Sequence, residues 1–504
     1  MRAALQIPPG IVSDDTTFAT PGRWSDCNNM RPWRGKHQTI GGWSVETTGL
    51  TGVCRNVLPW TDNTGYTNIA LGTHSKLYAV VAGALYDITP SSGFTAGSEH
   101  GAGGPGWGAG TFGGSTWGGP SSTDYFPLTW SLNTWGENLI ANPRNQSIFL
   151  WENNTGTPAA EITAAPDNIT CSLVTPSRQV LAFGCNEEVS NQFNPLAIRA
   201  SDTEDYTDWT TTVTNSVSED ILEGSGRIVG ARIVGDYVGV WTDTGLYIGQ
   251  YIGAGAQPWL WQKVASNTGL IGPNAVQVIN QQAFWVTPDL QFYTWTPGSM
   301  PVVIPCPIRN DFKDNIDTSQ FEKIAATSIT QFAEVLWFYP DTRDGVENSR
   351  YVGVNTLDGL WYRGTLARSA VCDSGPTKYP LFVDPDGNVF SHEVGNTANG
   401  SAIDWHLETS DTYIEEAGRY MLVRGIWPDF EDQKGAVSLT LTLKNYPQDT
   451  TTYTKGPYTL GANISKKDFL AQGRVIRAKF SGSSSPAFVR FGKPAFDVVA
   501  TGGE

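Results

Sequence analysis

Alternation of hydrophobic and polar residues defines a short unit that recurs along the chain. Each unit has a few β-forming residues, a tight polar turn with Asp, Gly or Asn, and a second run of β-formers with an aromatic residue. The clearest copies are IALGTHSKLYAV from Ile69, YVGVWTDTGLYIGQY from Tyr237, AFWVTPDLQFYTW from Ala283, YVGVNTLDGLWYRG from Tyr351 and LFVDPDGNVFSHEV from Leu381, with weaker copies at Asn138 and Gln179. The pattern predicts a series of β-hairpins.

The spacing of these hairpins predicts how they pack. They recur at irregular intervals of roughly 40 to 70 residues, which is near the length of a β-propeller blade. A hairpin alone is only marginally stable, and radial stacking buries its apolar face. We therefore predict an all-β fold in which residues 61–401 form a β-propeller-like domain.

The pattern changes near residue 402, where longer strands begin. Val437, Leu439, Leu441 and Leu443 alternate with Ser and Thr, which gives a strand with one apolar face. This pattern predicts a separate C-terminal antiparallel β-sandwich at residues 402–504.

Two segments lack the hairpin pattern. Residues 1–60 are rich in Pro, Gly and Trp, and we expect them to be extended and to pack on the propeller or a neighbouring subunit. The alternative is a terminal strand that completes the propeller sheet. Residues 97–120 form a Gly- and Trp-rich insertion, too rich in glycine for a helix or regular strand.

Aromatic residues recur every five positions in this insertion, which indicates a loop that packs on something, with a disordered insertion as the alternative. We assign seven residues of these two segments to a subunit interface: Pro8, Pro9, Trp24, Trp33, Trp107, Phe112 and Trp117.

Composition changes the picture in one respect. Charged residues are only 16% of the chain and the net charge is −16. This charge argues against a protein that grips nucleic-acid phosphates. It is compatible with a conduit whose acidic wall lets DNA pass without binding, and equally with an ordinary acidic soluble protein.

Targeting and redox signals are few. The N-terminal MRAALQIPPG has no signal-peptide apolar region, and no run of about 18 apolar residues predicts a membrane anchor. The six cysteines show no C-x-x-C spacing, which predicts core residues of a protein that folds in a reducing cytoplasm.

Motifs that carry chemistry are missing from the sequence. The five histidines form no zinc motif, and neither a G-x-S-x-G elbow nor a P-loop is present. Residues 384–388, DPDGN, fit a hairpin turn better than a calcium loop, because Val389 stands where that loop needs Gly. The acidic cluster at residues 201–209 fits a polar loop better than the paired carboxylates of a glycosidase. We therefore predict no catalytic, cofactor-binding or metal-binding residues.

Several longer segments resemble a family of phage virion proteins. The segments are residues 198–212, 226–253, 266–295, 332–370 and 441–460, together with the N-terminal IPPGIVSDDTTFATPGRW and the Gly- and Trp-rich insertion. The order of blades followed by a sandwich is similar to the tail hub, or nozzle, protein of short-tailed double-stranded-DNA bacteriophages.

This resemblance implies a structural role in the virion, with assembly in the host cytoplasm. It implies a homo-hexameric ring below the portal and the adaptor protein, with tail fibres, spikes or a needle attached below. Genomic DNA would pass through the ring without specific binding. The family has no catalytic residues to transfer to this chain.

Two other functions remain open from the sequence. A β-propeller tail protein that degrades or binds polysaccharide would carry a cluster of Arg and carboxylates on loops at one propeller face. A receptor-binding tail fibre would carry trimeric fibre repeats, which the sequence lacks.

Overall fold

A computed structural model describes residues 2–101, 126–253, 257–373, 375–413 and 418–503, and its regular structure is almost entirely β. Five strands precede the first propeller blade: β1 (Arg2–Ala4), β2 (Trp24–Asn28), β3 (Met30–Trp33), β4 (Lys36–Thr39) and β5 (Trp43–Thr47). Among the described residues no helix is both long and apolar enough to span a bilayer.

Within this described part, seven four-stranded antiparallel sheets follow one another as blades. Blade one contains β6 (Cys54–Thr61), β7 (Thr67–Thr73), β8 (Leu77–Val81) and β9 (Ala84–Asp87); blade two β10 (Trp130–Trp135), β11 (Asn138–Pro143), β12 (Phe149–Trp151) and β13 (Ala160–Glu161); blade three β14 (Cys171–Val174), β15 (Val180–Asn186), β16 (Phe193–Ala200) and β17 (Ser218–Ile221); blade four β18 (Ile228–Val234), β19 (Tyr237–Thr242), β20 (Gly245–Tyr251) and β21 (Trp259–Ser266). Blade five contains β22 (Val276–Ile279), β23 (Gln282–Val286), β24 (Phe292–Trp295) and β25 (Val302–Val303); blade six β26 (Ala325–Ile329), β27 (Glu334–Pro340), β28 (Asn348–Asn355) and β29 (Trp361–Thr365); and blade seven β30 (Ala370–Cys372), β31 (Leu381–Val383), β32 (Val389–His392) and β5.

The blades close into a ring. Each innermost strand contacts the innermost strand of the next blade, from β6 through β10, β14, β18, β22 and β26 to β30, and β30 contacts β6. Blades five and six are joined by a helix α1 (Arg309–Asn315) and a 3-10 turn (Phe321–Lys323), and a second 3-10 turn (Thr330–Phe332) joins β26 to β27. The predicted β-propeller is therefore confirmed, and its blade number, which the sequence left open, is seven in the described residues.

The predicted hairpins are the middle two strands of most blades. Corresponding second strands begin 42 to 71 residues apart, and the predicted unit forms the second and third strands in blades one, two, four, five and seven. In blade six the unit that begins at Tyr351 forms the third and fourth strands instead, because β27 precedes it. Residues 384–388 form the turn between β31 and β32, with Gly387 at φ +81°.

Aromatic side chains hold neighbouring blades together. Ring pairs bridge six consecutive blade junctions, with centroids 4.9 to 6.3 Å apart: Trp60–Trp151, Trp135–Tyr206, Phe183–Trp261, Trp241–Trp285, Phe292–Trp337 and Phe338–Phe382. Such pairs stabilise by about 0.5–1.5 kcal/mol beyond the area they bury. The high tryptophan content thus serves blade packing.

The C-terminal domain contains β33 (Trp405–Thr409), β34 (Thr412–Tyr413), β35 (Arg419–Trp427), β36 (Phe430–Lys434), β37 (Val437–Lys444), β38 (Tyr453–Leu460), β39 (Lys467–Gly473), β40 (Val475–Gly482), β41 (Phe488–Phe491) and β42 (Ala495–Gly503). Its described strands form antiparallel sheets in the orders β1-β42-β35-β39, β2-β33-β40-β37-β38 (with β34 beside β40) and β3-β4-β41-β36. In β37, buried and half-buried residues alternate as the sequence predicts.

The N-terminal segment differs from the prediction. Residues 1–60 do not lie over the surface as one extended segment, because β1 to β4 are strands of the C-terminal domain. Strand β5 is the outer strand of blade seven, as in the alternative of a terminal strand that completes the propeller. The C-terminal antiparallel sheets are therefore not built from residues 402–504 alone, as predicted, since each of these sheets includes N-terminal strands.

A buried ion cluster joins the two domains. Arg31 of β3 donates from Nη2 to Glu393 Oε1 at 2.5 Å, and its Nε lies 3.4 Å from Glu334 Oε2 in β27. Its guanidinium lies 4.0 Å from the ring centroid of Phe332. One hydrophobic core also runs from blades four to seven into the C-terminal domain. The two domains therefore form one continuous core.

Candidate functional site

Charged side chains converge where the propeller axis opens to one face. Arg55, at the start of the innermost strand of blade one, donates two hydrogen bonds to the Glu347 carboxylate, at 2.7 and 2.9 Å. Lys323 Nζ lies 2.7 Å from the same carboxylate. Burial alone would raise the pKa of Glu347, but the two cations lower it. We call this cluster of Arg55, Glu347 and Lys323, together with the cluster of Glu322, Arg144 and Arg227 described next, the axial mouth.

A second buried carboxylate completes the axial mouth. Glu322 accepts hydrogen bonds from Arg144 Nη1 at 2.8 Å and from Arg227 Nη2 at 2.6 Å. Both guanidiniums lie over the ring of Phe126, at 4.2 and 4.4 Å from its centroid. Although burial opposes it, the two arginines hold the pKa of Glu322 below its usual value. These hydrogen bonds link the β11–β12 loop of blade two, the connection from blade three to blade four, and the connection from blade five to blade six.

The described residues on either side of positions 102–125 contact the axial mouth. Gly101 exchanges two hydrogen bonds of 2.9 Å with the Gln320 side chain, and Phe126 lies between the two arginines. The predicted interface residues Trp107, Phe112 and Trp117 lie outside the described residues.

A group of three possible metal ligands occurs at the same mouth. Glu99, His100 and Glu347 offer ligand atoms within 4.8 Å of one another. However, Lys323 Nζ lies 2.9 Å from His100 Nδ1 and 2.7 Å from Glu347 Oε1. This ammonium already fills the position that a metal ion would take, so we assign no metal site there.

The described interface residues from the N-terminal segment differ in exposure. Pro8 is exposed and Pro9 is half-buried, and both line a cleft of about 430 Å³ on the C-terminal domain. Trp24 is buried, with its ring edge-on to Phe491 at 5.9 Å. Trp33 is half-buried and meets Phe332 of blade six at 5.2 Å. The assignment of Trp24 to a subunit interface is thus wrong, and Trp33 serves a contact between domains.

The acidic cluster at residues 201–209 forms the loop between β16 and β17. Asp202 accepts hydrogen bonds from the backbone N–H groups of Thr203 and Ser216, at 2.9 and 2.7 Å. Asp205 accepts from the N–H and hydroxyl of Thr207, at 2.7 and 2.6 Å. These carboxylates hold turns in place, which agrees with the loop interpretation.

A cleft of about 370 Å³ beside blade six contains the Arg and Asp residues that a glycan enzyme would need. Each arginine there is already paired with an aspartate at 2.6 to 2.7 Å: Arg363 with Asp26, Arg343 with Asp341, and Arg350 with Asp344. Their charges are used to attach α1 and β2 to blade six. This cleft therefore gives no specific support to the enzyme alternative.

Charge is distributed unevenly, which the sequence analysis missed. Residues 418–503 contain twelve Lys and Arg but six Asp and Glu, whereas residues 171–227, which include blade three, contain nine acidic and three basic residues. The net charge of the whole chain conceals this polarity. A running charge count along the sequence would find it, whereas a count by predicted domain would not, because residues 402–504 contain twelve basic and twelve acidic residues.

Comparison with known proteins gives fold-level likenesses of low similarity. No protein-family model matches the chain, and no curated protein matches it. The computationally designed Ika8 protein is 11% identical over 76% of this chain and 99% of that one, with a TM-score of 0.39. A catalytically inactive virginiamycin B lyase from Staphylococcus aureus is 9% identical over 69% and 97%, with a TM-score of 0.40. BamB from Moraxella catarrhalis is 11% identical over 73% and 96%, with a TM-score of 0.34. At these values the matches carry no argument about the function of this chain.

Proposed function

We propose that the chain is a structural subunit of a phage tail that assembles into a ring, the tail hub or nozzle. In this proposal the ring extends the DNA channel below the portal and adaptor and carries fibres, spikes or a needle for genome ejection. The hexameric stoichiometry follows from the resemblance of the sequence to tail hub proteins.

The observation that carries the proposal is an uncovered rim on one side of the propeller. The C-terminal domain packs against blade six, and β5 forms the outer strand of blade seven. The outer parts of three consecutive blades, three to five, instead expose large apolar side chains: Phe193, Ile221, Ile252, Leu260, Met300, Val302 and Val303. Exposed apolar surface of this kind is typical of a contact with another protein.

The axial mouth favours a particular route for DNA. It already contains the ion pairs of Glu347 with Arg55 and Lys323 and of Glu322 with Arg144, all at 2.7 to 2.8 Å. In our proposal DNA passes through the centre of the ring of subunits and not along the axis of each propeller. A net charge of −16 for each chain then disfavours binding of phosphate to the wall.

Negative-stain microscopy and mass photometry of the purified protein test the proposal. We expect closed rings with sixfold symmetry, and affinity for free duplex DNA at or below the non-specific range of about 10⁻⁴–10⁻⁶ M. A protein that stays monomeric at all concentrations, or that forms trimeric fibres, would contradict the ring. Tight DNA binding with a steep salt dependence would contradict the passive channel.

A further inference from the structure

Blade three has an edge with an excess of negative charge. Of its nine carboxylates, only Glu204 and Glu219 have an arginine partner among the described residues, Arg178 and Arg199. The other seven have no cationic partner there: Glu187, Glu188, Asp202, Asp205, Asp208, Asp220 and Glu223. Several surround β17, the outer strand of the blade. We call this region the acidic edge.

The C-terminal domain has an edge of opposite charge. Strands β38 and β39 are edge strands of two different sheets, and they meet where Tyr458 stacks on Phe469 at 4.3 Å. Lys455 on β38 is exposed and Lys467 on β39 is half-buried, and within the described residues neither forms an ion pair. We call β38, β39 and their lysines the basic edge.

Both edges also expose apolar side chains. On the acidic edge Val189 and Ile221 are 96% and 53% exposed, and on the basic edge Tyr453 and Leu470 are 57% and 65% exposed. Apolar groups surrounded by unpaired charge resemble the centre and rim of a protein interface. Each edge thus offers apolar area for burial and charge for orientation.

The two edges lie on different sides of the molecule. In a ring of seven, blade three is three places from both blade six and blade seven, which is the greatest separation possible. Blades six and seven are the ones beside the C-terminal domain, through β29 with β2 and β3 and through the Glu393 ion pair. The edges of one chain therefore face away from each other, and each can meet only another chain.

We propose that the acidic edge of one subunit docks onto the basic edge of a second copy of this chain. Two different surfaces that meet in this way form a heterologous, head-to-tail contact, which closes into a ring when the rotation permits. This inference rests on the proposed ring and assigns the contact that builds it.

DNA phosphates are the other anionic partner that lysines of the basic edge could bind. Two observations favour a second copy. Exposed Leu470 lies on the same strand as Lys467, and its apolar side chain gains nothing from phosphate. The chain itself also contains a surface of opposite charge, the acidic edge, whose seven carboxylates have no cationic partner among the described residues.

Charge reversal in two variants of the full chain tests the contact. Variant one carries Lys455→Glu and Lys467→Glu, and variant two carries Asp220→Lys and Glu223→Lys. Sedimentation velocity should show each variant as a monomer, with self-association weakened by about tenfold or more, because like charges then oppose each other. The control is Lys313→Glu, an exposed lysine of α1, which should assemble like the unmodified protein.

Mixing the variants gives a result that misfolding cannot produce. Variant one then has two acidic edges and variant two has two basic edges, so neither should assemble alone, but an equimolar mixture should assemble with the two variants alternating. A chain with all four reversals should assemble with itself again.

Four outcomes would overturn the inference. Variants that assemble like the unmodified protein, or a mixture that does not assemble, would place the contact elsewhere and leave the proposed ring standing. Normal assembly of variant one with loss of duplex DNA binding would assign the basic edge to phosphate. An unmodified protein that never self-associates would overturn both the contact and the ring.

Discussion

Trp43 lies directly opposite His392 in the antiparallel pairing that completes blade seven, and the two rings stack with centroids 5.1 Å apart. Arg368 extends this contact, since its Nε donates to His392 Nε2 at 3.0 Å and its guanidinium lies 5.2 Å from the Trp43 ring. The ring of blades is thus closed by a strand from the opposite end of the chain.

Trp43→Ala should destabilise the propeller. The substitution removes a half-buried ring that packs on both His392 and Arg368, and we expect the free energy of unfolding to fall by about 2–4 kcal/mol. Denaturant titration followed by fluorescence or circular dichroism measures this. Val45→Ser on the same strand is the control, because Val45 is exposed. An equal loss in both variants would mean that strand pairing, and not the stacked ring, carries the stability.

Acid should weaken the same junction through His392. Burial, with the positive charges of Arg368 and Arg31, holds the pKa of His392 well below its usual value of 6.5. The stability from neutral His392 is therefore present above pH 6.5 and is lost as the pH falls further below it. His392→Gln can still accept from Arg368, so its stability should fall less steeply between pH 6.5 and 4. A slope identical to that of the unmodified protein would contradict this.

The ionisation of Glu334 should have the opposite pH dependence, because it lowers the stability of the fold as the pH rises. Burial raises its pKa from 4.5 to about 7, although Arg31 opposes the shift. Its contribution to stability is fully present below pH 4.5 and is lost as the pH rises through about 7. This loss amounts to about 3 kcal/mol at 1.36 kcal/mol per pKa unit. Glu334→Gln should remove this pH-dependent loss of stability, so that the variant is at least as stable as the unmodified protein at pH 8.

Arg31→Met supplies the contrast at the same cluster. It leaves the buried carboxyl groups of Glu334 and Glu393 without a cation, and we expect a loss of about 3–5 kcal/mol at neutral pH. Thermal unfolding of both variants at pH 5 and pH 8 separates the two effects. Similar losses for Glu334→Gln and Arg31→Met at pH 8 would show that the Glu334 carboxylate stabilises the fold there, contrary to this prediction.

Glu322→Gln should open the axial mouth. Arg144 and Arg227 would then face each other across Phe126 without their shared anion, which costs about 3–5 kcal/mol for a buried pair. Glu204→Gln is the matched control, since its exposed pair with Arg178 should contribute about 0–1 kcal/mol. Hydrogen exchange at residues 97–101 should rise in the first variant only. Unchanged exchange there would mean that the mouth does not depend on Glu322.

Purified protein should not degrade polysaccharide. Asp202 and Asp205 hold turns in the loop between β16 and β17, so Asp202→Asn and Asp205→Asn should affect only the local stability of this loop. Release of reducing sugar from capsular and lipopolysaccharide substrates is the measurement. Turnover that either substitution abolishes would support the enzyme alternative and contradict the structural role.

The hairpins could be predicted because the relevant information is local. In the unit beginning at Tyr237, the alternation and the turn residues lie within one strand–turn–strand segment, and β19 and β20 pair as expected. The same holds for β37, where apolar and polar residues alternate without interruption.

Pairings between distant segments could not be predicted in this way. Strand β5 is only five residues long, and nothing in Trp43–Thr47 identifies β32 as its partner. Arg144 and Glu322 are 178 residues apart, and neither stands in a recognisable motif. The alternation of apolar and polar residues predicts which face of a strand is buried. The partner of the closing strand and the axial ion pairs depend instead on the three-dimensional course of the chain.

The position of β1 to β4 in the C-terminal sheets has a consequence for synthesis. These strands are synthesised well before β33, β41 and β42, with which they pair. At about 5–20 residues per second they wait roughly 20–100 seconds for their partners. A chain cut short by premature termination therefore lacks both a finished C-terminal domain and, if it ends before β32, a closed propeller. A truncation that removes β38 or β39 also removes the basic edge, so in the proposed ring such a product could not form the head-to-tail contact.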